Sequence, residues 1–557
     1  MSKYFDVCII GSGAGAGPIA YEMAMTGKSV VVIEKGGWYN EQDFSKDEIG
    51  TCRRDHYVPK LEDEPHVIED FIKGKWKAES NAISGGSFWN GNIVGGSSNF
   101  MSGYFHRMKP VDFKLLSEFG AIEGANVVDW PVSYEEMEPY FAKVEEIVGI
   151  SGKVVNHPSQ EPRSTKDFPF PSMIDHPFAN WIDESSKRLG YHPFPMPRAI
   201  LTKAHNQRNA CYYSVFCGSY GCNSGAKGSS RAALLDVAFR TGNCEIRPHS
   251  MAYKLVSDSS GKVTELEYFD KEGIVQKVHA KAFVVACQAI ESSRLLLMSV
   301  GPKHKNGLGN NSGQVGKNLI FSAGGIGRGD FYFKDFTESQ VKELQTRGPF
   351  VNRALQDWYV IDDPKLGLIK GGTVDFLHEH PNPIRKANKL KYGDQGKLVW
   401  GQELKDKLEF RFNEMKQLQF EVFNDWLPTD DCFVSLDPKV KDKWGLPVAK
   451  VRIGNHEHDI KVGKYLAEKS ELLLKEMGAR NITSSISGSP PPNLMAGGCR
   501  FGDNPKFSVL NKNCQLHDAE NVFVTDGSFM PTGGSVTYTW TIYANSFRVA
   551  DIIKSSL

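Results

Sequence analysis

The sequence predicts an α/β fold in which a Rossmann-like βαβ nucleotide-binding domain is interleaved with an α+β domain built on a mostly antiparallel sheet. Three observations predict it. A glycine-rich turn, Gly11-Ser12-Gly13-Ala14-Gly15-Ala16-Gly17, joins an apolar run of strand length to a helical stretch. A β-branched run, Val30-Val31-Val32-Ile33, follows and ends at Glu34. Near the far end, Val522-Phe523-Val524-Thr525 delivers Asp526 and Gly527, matching the rule that ligands sit at the carboxyl edge of open parallel sheets.

Taken in order, Tyr4 to Ile10 is the first strand, Pro18 to Thr26 the helix closed by Gly27, and Lys28 to Ile33 the second strand. Gly11 permits the tight turn and Gly13 lets backbone approach a pyrophosphate. Gly15 continues the turn, and Ala16 fills the position where only a small residue lets helix and strand pack closely. The helix N-terminus offers free N–H groups to phosphate. Glu34, eighteen positions beyond Ala16, stands where a carboxylate accepts from a ribose hydroxyl. A unit of this kind at the extreme N-terminus points to FAD. Ala280 to Ala286 reads as another buried strand, turning into a helix through Arg294 to Leu297. Thr541 to Ile553 reads as a closing helix whose N-terminus is aimed at the pyrimidine end of the flavin.

The middle of the chain supplies the second domain. Ser133 with Glu136 is a capping-box helix start. Leu418 to Val422 alternates as a strand that extends toward Trp426, with Gln419 and Glu421 on one face where they would read substrate hydroxyls. The expected division is a nucleotide domain from 1–113, 205–330 and 485–557, and a substrate domain from 114–204 and 331–484.

Composition bounds the function. The 557 residues carry 66 basic and 66 acidic side chains, so no net field draws the chain to nucleic acid or anionic membrane. No apolar run reaches the ~18 residues of a membrane helix. The N-terminal segment lacks the pattern of a secretory signal, which predicts a cytoplasmic location. Ten cysteines are too few for a disulfide scaffold.

Several segments resemble the glucose–methanol–choline (GMC) oxidoreductases. Ile93-Val94-Gly95-Gly96-Ser97-Ser98-Asn99 is similar to that family's second motif, whose loop wraps the flavin. Gly497-Gly498-Cys499-Arg500 is similar to the loop before its closing signature, and Asn521 to Thr532 with Thr541 to Asp551 resembles that signature. The resemblance implies FAD held by Gly11, Gly13, Gly15, Ala16, Glu34, Gly95, Gly96, Ser97, Ser98, Asn99, Asp526, Gly527 and Thr537. It also implies oxidation of an alcohol or sugar hydroxyl.

Cys211, Cys217 and Cys222 lie within twelve residues of a loop rich in glycine and small polar residues. Their spacing suits an iron–sulfur cluster, a zinc site or plain structural thiols. The loop resembles one in the large subunits of bacterial gluconate, fructose and FAD-dependent glucose dehydrogenases, and Gly225-Ala226 follows as it does there. The likeness implies a 3Fe-4S cluster that passes electrons to a cytochrome-type acceptor. It also implies a small partner subunit, and through that partner a periplasmic alternative to the cytoplasm. The step from Cys217 to Cys222 is one residue longer than the pattern.

The catalytic positions depart from the family. Where it places a histidine this chain has Leu494, and where it places a second histidine or asparagine this chain has Thr537. Neither is a general base. A base is therefore sought at His378 or His380, which a strand would turn to one face, at the His456 and His458 pair, or at Asn493, one residue from the expected position. Each His-x-His pair also admits a metal reading. The sub-reading for the substrate is a sugar or glycoside oxidised at C3. Flavin chemistry on a substrate other than an alcohol, or a flavoprotein subunit that only relays electrons, are the alternatives.

Overall fold

The structure is a computed structural model, and it describes residues 4–50, 52–393, 396–490 and 494–557. Asn493 lies outside the described residues.

Three sheets organise the chain. The first has a parallel path, with Tyr4–Ile10 between Val275–Val285 and Val30–Ile33, extended by Ala519–Val524 on one side and Cys244–Arg247 on the other. Phe5, Val7, Cys8, Ile9, Ile10 and Val30 to Ile33 are all buried, as expected of strands covered on both faces. The register pairs Ile10 with both Ile33 and Val285, and Val285 with Val524. The carboxyl ends of four strands therefore form one rim, and Gly11, Glu34, Ala286 and Thr525 follow it directly.

The second sheet is antiparallel throughout its six strands: Arg480–Ser485, Ser322–Tyr332, Met415–Asp425, Gly372–His378, Arg353–Leu355 and Phe194–Pro195. The helix Glu457–Glu476 covers one face, packing Leu466, Leu473 and Leu474 against Val374, Phe376, Leu418 and Phe420. The opposite face looks toward the rim of the first sheet. The chain first contributes Phe194–Pro195 to this sheet, and the other five strands lie between Ser322 and Ser485. A third, four-stranded sheet joins Val67–Ile72 and Lys75–Ser80 to Phe433–Lys441 and Pro447–Ile453.

Local signals survive into the fold. Ser133 and Glu136 form the capping box of Tyr134–Val144, with Glu136 N–H donating to Ser133 Oγ at 3.2 Å and Ser133 N–H to Glu136 Oε2 at 2.8 Å. The helices after the glycine turn and at the C-terminus run Gly17–Met25 and Thr539–Ser556. The strand containing Glu421 is longer than the alternation indicated, Met415–Asp425, because each of its residues pairs with a flanking strand.

Candidate active site

A cavity of about 780 Å³ lies between the rim of the parallel sheet and the open face of the antiparallel one. That size is ample for a ligand site. The glycine turn forms one end. A Cβ placed on Gly11 would come within 2.3 Å of the Ala286 carbonyl oxygen, and one on Gly15 within 2.6 Å of the Asp526 nitrogen. These two glycines serve close backbone packing. Gly13 differs, since a Cβ there would meet nothing within 4 Å, so its backbone faces open cavity.

Ser12 ties the neighbouring pieces together. Its hydroxyl donates to Glu34 Oε2 at 2.5 Å and accepts from Gly95 N–H at 2.9 Å. Glu34 also accepts from Gly36 N–H at 2.7 Å. Burial pushes the Glu34 carboxyl up, and the Ser12 and Gly36 hydrogen bonds oppose that. Asn99 secures the second loop, its amide donating to the carbonyls of Val94 at 3.0 Å and Gly96 at 2.9 Å, while Ser98 Oγ donates to Gly95 at 2.6 Å. Asp526 accepts from Gln288 N–H at 3.1 Å, from the Ser292 hydroxyl and from Ser528 N–H at 2.8 Å. It thus anchors the helix Ala289–Met298 and the closing turn to the sheet rim.

Gly11, Gly13, Gly15, Glu34, Gly96, Ser97, Ser98, Asp526, Gly527 and Thr537 all line the cavity. Ala16, Gly95 and Asn99 stand behind it. Ala16 is buried and its N–H donates to the Gly13 carbonyl at 3.0 Å. The residues fit FAD: open space over Gly13, a carboxylate at the end of the second strand, and Thr539 at the start of the C-terminal helix all line the cavity.

The other end of the cavity is the substrate side. Leu494 and Thr537 both line it, and neither brings a base. The Thr537 hydroxyl is committed, donating to the Tyr104 carbonyl at 2.8 Å. Gln419, Glu421 and His380 also face the cavity, as does the Tyr104 side chain. Glu421 has no hydrogen-bond or ion-pair partner among the described residues. Burial and the neighbouring Asp375 push its carboxyl up to about 7, against the pull of the Arg198 guanidinium.

The histidine candidates separate. His380 lies beyond the end of Gly372–His378 and reaches the cavity, where a Cβ on Gly218 would come within 2.1 Å of its ring. Burial, then the charges of Arg54 and Lys386, lower it to about 4, so its ring is neutral. His378 does not line this cavity. It packs against His176, with ring centroids 4.4 Å apart, and burial holds it well below its ordinary value. The strand period that was to bring both rings to the cavity fails because the strand stops at His378. His456 caps Glu457–Glu476, its Nδ1 accepting from His458 N–H at 3.1 Å, so Nε2 carries the proton donated to the Glu123 carbonyl at 2.9 Å. His458 lines a small separate pocket of about 40 Å³ beside Asp459. Neither histidine of that pair lines the large cavity.

The three cysteines pack on one apolar patch with Ile200, Leu201 and Ala226. Burial pushes Cys211 up to about 12. Burial also acts on Cys222, but Lys227 and Ser224 outweigh it and hold that thiol at about 7. Among the described residues no group of three histidine, cysteine or acidic side chains is placed to hold a metal ion, at this loop or at either His-x-His pair. No described helix is long and apolar enough to cross a membrane.

Sequence reasoning passed over Ser12 and Tyr104. Ser12 was legible as the only hydroxyl in the glycine turn, whereas Tyr104 carries no motif and is set by its contact with Thr537, far away in the chain.

Comparison with known proteins agrees with this geometry. Models of GMC oxidoreductases match residues 84–322 and 428–546. The chain is 30% identical to a 2-methyl-1,2-propanediol dehydrogenase of Mycolicibacterium austroafricanum, over 99% of this chain and 95% of that one. It is 25% identical to the fructose dehydrogenase large subunit of Gluconobacter japonicus, over 99% and 98%. The fold superposes on a formate oxidase from Aspergillus oryzae with a TM-score of 0.65 at 15% identity, covering 100% and 99%. The likeness to dehydrogenase large subunits is thus a distant one, exceeded by that to a diol dehydrogenase. The chain belongs to the GMC oxidoreductases, FAD-dependent enzymes that act on CH–OH groups.

Proposed function

We propose that the enzyme is a dehydrogenase of a sugar, glycoside or polyol hydroxyl, with Glu421 as the group that takes the hydroxyl proton. The observation that supports this is a carboxyl poised at about 7 and without a partner, in the cavity that Leu494 and Thr537 also line. A base is most effective when its pKa lies near the working pH. Bound in the cavity, FAD supplies a hydride acceptor for the carbon that bears the hydroxyl. Glu421 then receives the proton from oxygen, so the substrate leaves as a carbonyl compound. Neutral His380 and Gln419 are placed to hydrogen-bond neighbouring hydroxyls, and Leu494 keeps water from one side of the site. Oxidation at C3 of a pyranose remains the preferred regiochemistry.

The test is anaerobic titration of the holoenzyme with sugars, glycosides and polyols, read as loss of flavin absorbance. Bleaching by one of these classes supports the reading. If none of them bleaches the flavin, the site serves another chemistry, such as a redox-neutral conversion.

A second reading concerns where the electrons go. The likeness to dehydrogenase large subunits supports a 3Fe-4S cluster at Cys211, Cys217 and Cys222 that relays them to a cytochrome-type partner, although the three thiols do not themselves form a metal-holding group among the described residues. Iron and acid-labile sulfide analysis of anaerobically purified protein decides it. Three irons per chain support the relay, and none means that electrons leave from the flavin.

A further inference from the structure

A second cavity, of about 390 Å³, adjoins the first and shares Ser102, Tyr104 and His380 with it. Its lining is strongly one-sided in charge. Arg198, Arg347, Lys386, Arg411 and Lys416 face it against a single carboxylate, Glu379. Glu379 is already used twice, by Lys386 at 2.9 Å and by Arg411. Arg198 is buried between the Tyr104 and Phe350 rings and donates to the carbonyl oxygen of Ser102 at 2.9 Å. Lys416 and Arg347 have no hydrogen-bond or ion-pair partner among the described residues. His378 completes the wall, both of its ring nitrogens buried without a hydrogen-bond partner.

Such an arrangement is unfavourable when empty. Arg198 is buried, Lys386, Arg411 and Lys416 are half-buried and Arg347 is exposed at the mouth, so like charges crowd a partly dry pocket, and buried polar atoms without partners are rare in folded proteins. The repulsion is visible at Lys416, whose ammonium is brought down to about 8 by burial and by Arg347, Lys386 and Arg411. An oxyanion in the pocket would relieve all three deficits. It would accept from Lys416 and Arg347 and from the N–H of the His378 imidazole, and it would offset the cationic field.

We propose that this pocket is an anion subsite that holds a carboxylate, sulfate or phosphate group carried by the substrate while the hydroxyl end reaches Glu421. This rests on the alcohol-oxidising reading of the larger cavity and narrows its substrate class to acidic hydroxy compounds, such as uronates or sugar sulfates and phosphates. The arrangement of the walls supports a substrate-borne group over a free ion, since three residues are common to the two cavities.

The experiment compares matched pairs, glucose with glucuronate and galactose with galacturonate, on the holoenzyme and on a Lys416→Met/Arg347→Ala double variant. Neither residue touches the flavin cavity, so the oxidation of neutral sugars should be unchanged. The uronates should be preferred by the parent enzyme, with KM rising about tenfold or more in the double variant and kcat kept. Inorganic sulfate should compete with uronates in the parent enzyme and lose that effect in the variant. Equal behaviour of acidic and neutral sugars in both proteins, or sulfate inhibition that does not compete with a uronate, would overturn the proposal. If no sugar of either kind bleaches the flavin, the dehydrogenase reading fails by itself. Calorimetric sulfate binding that the double variant abolishes would then still support an anion site, and its absence from the parent would remove it.

Discussion

Replacing Glu421 by Gln removes a titrating carboxyl while keeping its size, and the structure sets what should follow in rate, pH profile and stability. A general base of this kind contributes roughly 10²–10⁴-fold, so the anaerobic rate of flavin reduction should fall by at least 100-fold. In the parent enzyme that rate should rise with pH through about 7, where the carboxyl ionises, and the variant should show no such step. Stability should move the other way. The folded carboxyl titrates at about 7 against an ordinary 4.5, so the folded protein holds this proton more tightly than the unfolded chain does. Its contribution is intact below 4.5, declines between 4.5 and about 7, and is fully lost above. At about 1.4 kcal/mol per pH unit the ceiling is about 3 kcal/mol. Water in the cavity reduces it to about 1–2 kcal/mol. Glu421→Gln should therefore melt higher than the parent holoenzyme at pH 8 and equally at pH 4.5. A variant that keeps its reduction rate, or one equally stabilised at both pH values, would refute the assignment.

The glycine turn gives a paired prediction. Gly13→Ala should fold and purify with little flavin, because its methyl enters open cavity, whereas Gly15→Ala should fail to accumulate as folded protein, its Cβ within 2.6 Å of the Asp526 nitrogen. Flavin-to-protein ratio and circular dichroism separate the two. Glu145→Ala should cost about 3 kcal/mol, the low end for a broken buried pair, because Arg107 and Arg163, each 2.6 Å from its carboxylate, keep Glu138 at 2.8 Å and Glu161 at 3.3 Å. Urea midpoints measure it. His456→Ala should cost about 1 kcal/mol through loss of a helix cap and leave turnover unchanged, and a fall in turnover instead would return that histidine to the candidate bases.

What could be read from the sequence was what a local pattern determines. The turn from Gly11 to Gly17, the acid at Glu34 and the strand Ala519–Val524 that leads to Asp526 each impose their own backbone, and each meets the rim of the parallel sheet. The cap at Ser133 and the face shared by Gln419 and Glu421 belong to the same class, since a strand's period of two is indifferent to its surroundings. The histidines show where that logic stops. His378 and His380 share a face only while the strand continues, and nothing local announces that it ends between them. Glu421 was visible as a residue on the cavity face, but its elevated carboxyl arises from burial and then from Asp375, its cross-strand partner, neither of which a local pattern announces. The basic pocket was illegible for the same reason. Its cations come from five separate places along a chain whose total charge is zero.

The two unbalanced sites are best understood together. On the flavin side of Tyr104 stands a carboxyl with no cation bonded to it, and on the other side stand cations with one carboxylate among them. Pairing them directly would have been the stabilising solution for the empty protein. Arg198 sits between the two sites and already moderates Glu421, yet its donated hydrogen bonds go to Ser102 and Asn352. Keeping the charges apart preserves a base of near-neutral pKa. A direct salt bridge would pull that carboxyl down by one to three pH units or so and leave it a weak proton acceptor. An acidic substrate resolves the imbalance without that loss, because its anion neutralises the outer cations while its hydroxyl meets a carboxylate that has given up no basicity. The separation also predicts a direction for coupling. Arg198 lines the outer pocket and is the cation that lowers the Glu421 carboxyl, so an anion bound beside it weakens that pull, and the pH at which flavin reduction reaches half its maximum should be higher with glucuronate than with glucose. The Lys416→Met/Arg347→Ala variant should bring the two closer, and an unchanged difference between the two sugars would show that the sites act independently.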